Sequence, residues 1–219
     1  MSLARLRLFQ LVSPALPVGA FSYAEGLEVL VQSGRLPDAG AVQQWLEAEL
    51  QRGLLTLEAA ALPILMTAIA AADWPAVVDL DHWLLAQREA PELRAQQRQM
   101  GLSLQQLLVE LGQPLPPQAP PLSWPAAFAG AAHCLGLAAA EVVEAYLYGW
   151  CANQLSAAVR LVPLGPSAAQ RLQLALGPLL VERARVLVDS DPRQLWSGGV
   201  GAGLAQLGHA ELYSRLFRS

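Results

Sequence analysis

Five side chains in this 219-residue sequence could ligate a transition metal: His82, His133, Cys134, Cys151 and His209. A tight site needs three or four of them to converge. Their spacing argues against that. His133 and Cys134 are adjacent on an expected helix and point roughly 100° apart. No His/Cys pair falls at i, i+3 or i+4, and no Cys-x-x-Cys occurs. No metal site is therefore predicted. Glu25 and Glu28 stand at i, i+3, which brings two carboxylates together on a helix. Without a partner such a pair reads as a solvated face. No nucleophile-elbow motif is present, so no catalytic residue is predicted.

All fourteen basic residues are Arg, and there is no Lys. A phosphate-cradling Walker A loop ends in Gly-Lys-[Ser/Thr], so the chain is not itself a P-loop GTPase or ATPase. Schiff-base lysine chemistry is excluded too. With a net charge of −4 and no basic run, nucleic acid is not an expected partner. Two cysteines make no disulfide framework, and no signal-peptide pattern opens the sequence, so a cytoplasmic protein is expected. Mean hydropathy is +0.34, yet residues 59–72 are too short to span a bilayer and contain Pro63. Residues 119–140 hold three prolines. No membrane association is predicted.

Positioning these groups falls to helices. Leu and Ala dominate, and hydrophobic residues make up 54%, which predicts an all-α protein. The expected architecture is one domain over 1–219, with about ten helices packed around a central apolar helix. A short helix is predicted over 3–12. Pro14 and Pro17 then forbid helix up to Gly19. From Ala20 to about Ser33 the spacing predicts a helix. Tyr23, Leu27, Leu30 and Val31 share its apolar face, and Phe21, Glu25 and Glu28 share another. Asp38 is a fair N-cap for a helix over 39–54, and Asp73 for one ending near Glu89. Between them, Thr56 and Glu58 open a helix to Ala72, apolar nearly all round, bent or broken at Pro63 and placed centrally. Pro91 opens a helix to about Leu111. A proline-rich surface loop is expected at about 112–125. Helices over 125–135, 138–162 and 166–188 follow. Ser197 to Gly203 is glycine-rich and expected to be flexible; it is no phosphate loop.

Three stretches carry a resemblance to a known family. Ser13-Pro14-Ala15-Leu16-Pro17-Val18-Gly19-Ala20-Phe21-Ser22-Tyr23-Ala24-Glu25-Gly26-Leu27-Glu28 resembles the N-terminal signature of the urease accessory protein UreF family. Ala24 stands where that family often has Ser. Tyr146–Trp150 and Ser156–Gly165 resemble a second signature, after which Pro166 replaces a usual Gln. The segment from His209 to Ser219 is similar to the family ending His-Glu-x-x-Tyr-[Ser/Thr]-Arg-Leu-Phe-Arg-Ser, with Ala210 in place of the Glu.

The resemblance implies an all-helical urease maturation factor, a subunit of a nickel-insertion chaperone complex and a homodimer within it. It would scaffold UreD (also called UreH) and the GTPase UreG, and couple GTP hydrolysis to nickel delivery to apo-urease. No cofactor would be bound tightly, nickel being handled by the complex. Phe21, Tyr23, Glu25 and Glu28 are then expected to meet the GTPase. Tyr213, Arg215, Leu216, Phe217, Arg218 and Ser219, in a partner-docking tail at about 209–219, are expected to meet UreD. Aromatic residues and Arg are enriched in interface hot spots. A GTPase-activating role would need an exposed Arg, for which Arg94 and Arg160 are candidates. The residues also admit another class, a helical enzyme or lipid-binding protein using an apolar interior pocket.

Overall fold

Caps and prolines divide the chain into helices, and burial decides how they pack. The computed structural model describes residues 3–218. Its helices are α1 (Leu3–Leu11), α2 (Leu27–Gln32), α3 (Ala39–Arg52), α4 (Leu54–Ala70), α5 (Trp74–Ala86), α6 (Pro91–Glu110), α7 (Trp124–Cys134), α8 (Ala139–Leu161), α9 (Pro166–Leu187) and α10 (Val200–Gly208). Short 3-10 turns occupy Ala20–Ser22, Pro192–Gln194 and His209–Glu211. Among the described residues there is no strand. No single helix among them is long and apolar enough to cross a membrane.

The expected caps form. The Ala41 amide donates to Asp38 Oδ1 at 2.9 Å, and the Ala76 amide to Asp73 Oδ1 at 3.2 Å. Each side chain satisfies an amide that the first helical turn leaves unpaired, an effect of about 1 kcal/mol. α4 is the central helix. Every residue from Leu55 to Leu62 is buried, and α4 packs on α3, α5, α7, α8 and α9. A leucine buried that fully contributes about 1.5–3 kcal/mol. Pro63 does not break α4. It removes one amide donor, while its own carbonyl accepts the Thr67 hydroxyl at 2.9 Å. Packing against five neighbouring helices outweighs that single lost bond.

The proline-rich segment between α6 and α7 is pinned at its far end. Gln105 on α6 donates to the Pro120 carbonyl and accepts from the Leu122 amide, both at 2.9 Å. The Ser123 amide and hydroxyl donate to the buried Asp81 carboxylate of α5. Leu122 and Ser123 are consequently buried, not at the surface.

Two expectations are corrected. No continuous helix runs from Ala20 to Ser33. After the first turn the backbone extends at Tyr23 (φ −126°, ψ 139°), then turns left-handed at Glu25 (φ 49°) and Gly26 (φ 84°) before α2 begins. Phe21, Glu25 and Glu28 therefore do not share a helical face. The break is needed because Gly26 lies against α10: a Cβ there would sit 3.1 Å from the Ala202 carbonyl oxygen and 3.2 Å from the Gln206 amide nitrogen. Only glycine combines that approach with positive φ at little cost. The second correction is α10 itself, which makes most of the glycine-rich stretch helical. Each glycine costs a helix about 1 kcal/mol relative to alanine. Here the packing of α10 on α2 supplies the compensation.

Candidate functional site

The left-handed step at Glu25 turns its carboxylate into the protein. Glu25 Oε2 accepts the Trp150 indole N–H at 3.1 Å and lies 3.7 Å from the Arg88 guanidinium. Gln96 Nε2 donates to Glu25 Oε1 at 3.3 Å. Arg88 sits just after α5 and is 5% exposed. Its Nε donates to Glu58 Oε1 at 3.1 Å, and its Nη2 contacts the same oxygen. The Tyr146 hydroxyl donates to Glu58 Oε2 at 2.8 Å. Glu58, deep in α4, thus has both oxygens satisfied, as a buried carboxylate requires. Burial alone would pull the Arg88 pKa down. The charges of Glu58 and Glu25 outweigh it and hold the guanidinium protonated. Burial, reinforced by Glu58, pushes the Tyr146 phenol well above its ordinary range, so it stays a donor.

Over this cluster opens a pocket of about 190 Å³, lined among others by Glu25, Trp45, Glu49, Arg88, Trp150 and Gly203. The Trp45 and Trp150 rings stand 5.9 Å apart, tilted by 40°. Glu49 belongs to the last turn of α3, against Gly53. A Cβ at Gly53 would fall 2.1 Å from Glu49 Oε2, so glycine there is what admits the carboxylate. Burial first, and the Glu25 charge second, push the Glu49 pKa up to about 7 from 4.5. Folding therefore favours protonated Glu49. Its contribution to stability is full below about pH 4.5 and is lost as pH rises to about 7. Glu49→Gln is expected to match the parent at pH 4.5. At pH 8 it should exceed it by about 2–3 kcal/mol, the linkage cost of ionising Glu49 there. Urea denaturation at both pH values checks this; equal stability at pH 8 would contradict it.

Glu28 faces the other way, into a clasp around the end of the chain. It is 2% exposed. Its Oε1 accepts the Leu216 amide at 2.7 Å and its Oε2 the Phe217 amide at 3.1 Å. His209 Nε2 lies 3.3 Å from Oε2. Gln32 Nε2 donates to the Ser214 carbonyl at 3.2 Å, and the Arg218 amide to the Ser22 carbonyl at 2.8 Å. The tail is thereby tied to the segment beginning at Ala20. Phe217 is buried, with the Arg160 guanidinium 5.8 Å from its ring centre. Tyr213 is fully exposed and Leu216 is 60% exposed. Arg215 and Arg218 are exposed as well. Ser219 lies outside the described residues.

The residues expected to meet partners thus divide by exposure. Phe21, Tyr213, Arg215, Leu216 and Arg218 face solvent, whereas Tyr23, Glu28 and Phe217 are buried and Glu25 floors the pocket. The two expected finger arginines differ: Arg94 is half-buried and its Nη1 donates to the Glu89 carbonyl at 2.9 Å, whereas Arg160 is exposed, its guanidinium 5.8 Å from the Phe217 ring centre. His82 and His133 are exposed, and Cys134, next to His133 in the chain, is half-buried, while Cys151 is buried, its thiol pushed up to about 12 by burial. Among the described residues no group of three or more His, Cys, Asp or Glu is arranged to hold a metal.

Spacing did not point to Arg88, Glu58, Tyr146, Glu49 or the two tryptophans as one cluster. One signal was present: Glu58 is a charge inside an otherwise apolar helix, which demands a buried partner.

A family model described as UreF matches residues 36–177. The urease accessory protein UreF of Alkalilimnicola ehrlichii is 42% identical over 222 residues, covering 99% of this chain and 96% of that protein. UreF of Thermosynechococcus vestitus is 40% identical over 221 residues, covering 99% and 98%. UreF of Pseudomonas fluorescens is 39% identical over 222 residues, covering 97% of each.

Proposed function

This chain belongs to the urease accessory protein UreF family, and from that premise we propose that it scaffolds urease maturation by docking UreD and the GTPase UreG. In this reading it works in the cytoplasm as a homodimer within the complex. It holds no tight cofactor of its own and couples GTP hydrolysis to the delivery of nickel, the cargo, to apo-urease. One observation carries the proposal. Phe21 and the tail residues Tyr213, Arg215, Leu216 and Arg218 are exposed, while the backbone beneath them is fixed by the Arg218–Ser22 hydrogen bond and by Glu28. Ordering exposed aromatic and arginine side chains in advance lowers the entropy lost on docking.

The tail residues are assigned to UreD and Phe21 to the GTPase. Tyr23, Glu25 and Glu28 act on that face from within, by fixing the loop that carries Phe21. Regulation of the GTPase proceeds through docking, with exposed Arg160 as the remaining finger candidate and Arg94 held by backbone carbonyls.

The test is co-expression with UreD and UreG homologues, comparing the full chain with one ending at Leu212. The full chain is expected to retain UreD and the shortened chain to lose at least nine-tenths of it. Equal retention would place the UreD interface elsewhere. If neither chain captured either partner, the scaffold reading would fail, and turnover or lipid binding by the chain alone would become the question.

A further inference from the structure

The pocket above Arg88 is lined by three carboxylates, Glu25, Glu49 and Glu89, and one guanidinium, Arg88. Glu25 and Glu58 already share the one buried guanidinium. Glu49 forms no hydrogen bond or ion pair through its carboxylate among the described residues. Glu89 stands at the rim, where a Cβ on Gly203 would lie 3.0 Å from its Oε2. Trp45, which lines the same pocket, has its indole N–H buried with no acceptor. Among the described residues the site therefore leaves Glu49 and Glu89 without an ion-pair partner and the Trp45 indole N–H without an acceptor.

Size and geometry narrow the ligand. At about 190 Å³ the pocket is smaller than the roughly 300–1,000 Å³ usual for small-molecule ligands. Its acids are not arranged as a metal-holding group. A planar guanidinium suits both features that remain, pairing with carboxylates and lying flat on indole faces. A peptide bearing it also brings the missing carbonyl.

We propose that this pocket receives an arginine side chain from a partner protein, its guanidinium paired with Glu49 and Glu89 and laid against Trp45 and Trp150. The proposal rests on the scaffold reading for the existence of a partner, and names the chemistry that the partner presents.

Indole ¹⁵N–¹H spectra of the full chain at pH 8 provide the test, with resonances assigned by Trp45→Phe and Trp150→Phe. The probes are acetyl-Gly-Arg-Gly-amide, the same peptide with citrulline for arginine, and nickel chloride. The arginine peptide is expected to shift the Trp45 and Trp150 signals saturably, and the neutral citrulline isostere to leave them in place. Glu49→Gln should weaken the arginine peptide about fivefold, the equivalent of one modest ion pair. That variant removes a charge without changing shape, so an unaltered remaining spectrum verifies its fold. Equal shifts with citrulline, unchanged affinity in Glu49→Gln, or shifts with nickel alone would overturn the proposal. The co-expression experiment separates the two readings: partner capture without peptide binding rejects the pocket alone, and peptide binding without partner capture rejects the scaffold alone.

Discussion

Arg88→Met is expected to destabilise the folded chain by about 3–5 kcal/mol, the range for removing one partner of a buried ion pair. Methionine keeps much of the arginine stem's bulk, so little of the loss comes from a cavity. The loss comes from Glu58. It would remain at 4% exposure with only the Tyr146 hydroxyl as partner, while Glu25 would keep Trp150 and Gln96. A carboxylate so placed must either pay its desolvation or take up a proton. Arg88→Met combined with Glu58→Gln removes the stranded charge and is expected to recover more than half of the loss. Urea denaturation of the parent, single and double variants, followed by far-ultraviolet circular dichroism, gives the comparison. A single-variant loss under 1 kcal/mol would mean that water or another group reaches Glu58.

Glu28→Ala is expected to release the tail while leaving the helical body folded. The Glu28 carboxylate accepts the Leu216 and Phe217 amides and contacts His209. Hydrogen bonds to a charged group contribute about 1.5–3 kcal/mol each. Losing two of them, partly offset by the remaining Phe217 contacts and by water, leaves about 3 kcal/mol. That corresponds to roughly a hundredfold rise in the open population. Amide hydrogen exchange should show Leu216 and Phe217 losing protection by that factor, with α4 amides unchanged. If protection at both positions persisted, the burial of Phe217 beneath Arg160 would be what holds the tail. Glu28→Gln keeps one acceptor and should fall between the two.

Much of the fold was legible because its signals act within a turn or two of chain. Asp38 and Asp73 cap the helices they precede, and Pro91 and Pro166 open the helices they begin. The apolar run of α4 marks the centre. The errors arose where a local rule met a distant contact. Helical spacing from Ala20 to Ser33 gave Tyr23, Leu27, Leu30 and Val31 as one apolar face; the first three are buried and Val31 is half-buried. They reach the core through a left-handed turn, not along one helical face, because Gly26 must fit beneath α10. Glycine content argued for flexibility at Ser197–Gly203, yet Val200–Gly203 is the first turn of α10, which packs on α2.

The residues of the tail clasp were legible in the sequence, and their arrangement was not. Sequence motifs alone marked both the segment around Glu28 and the segment around Phe217. That one grips the other, across 189 residues of chain, is a tertiary fact. The same holds for Glu58, Arg88 and Tyr146, which come from three separate parts of the chain. By itself the sequence determined the all-helical class, most helix starts and the family, because propensity, capping and motif identity are properties of short segments. Only the tertiary structure decided which charges are buried, which are paired and which, like Glu49, are left over. Those outcomes depend on desolvation and on partners brought within a few ångströms by the packing of the whole chain.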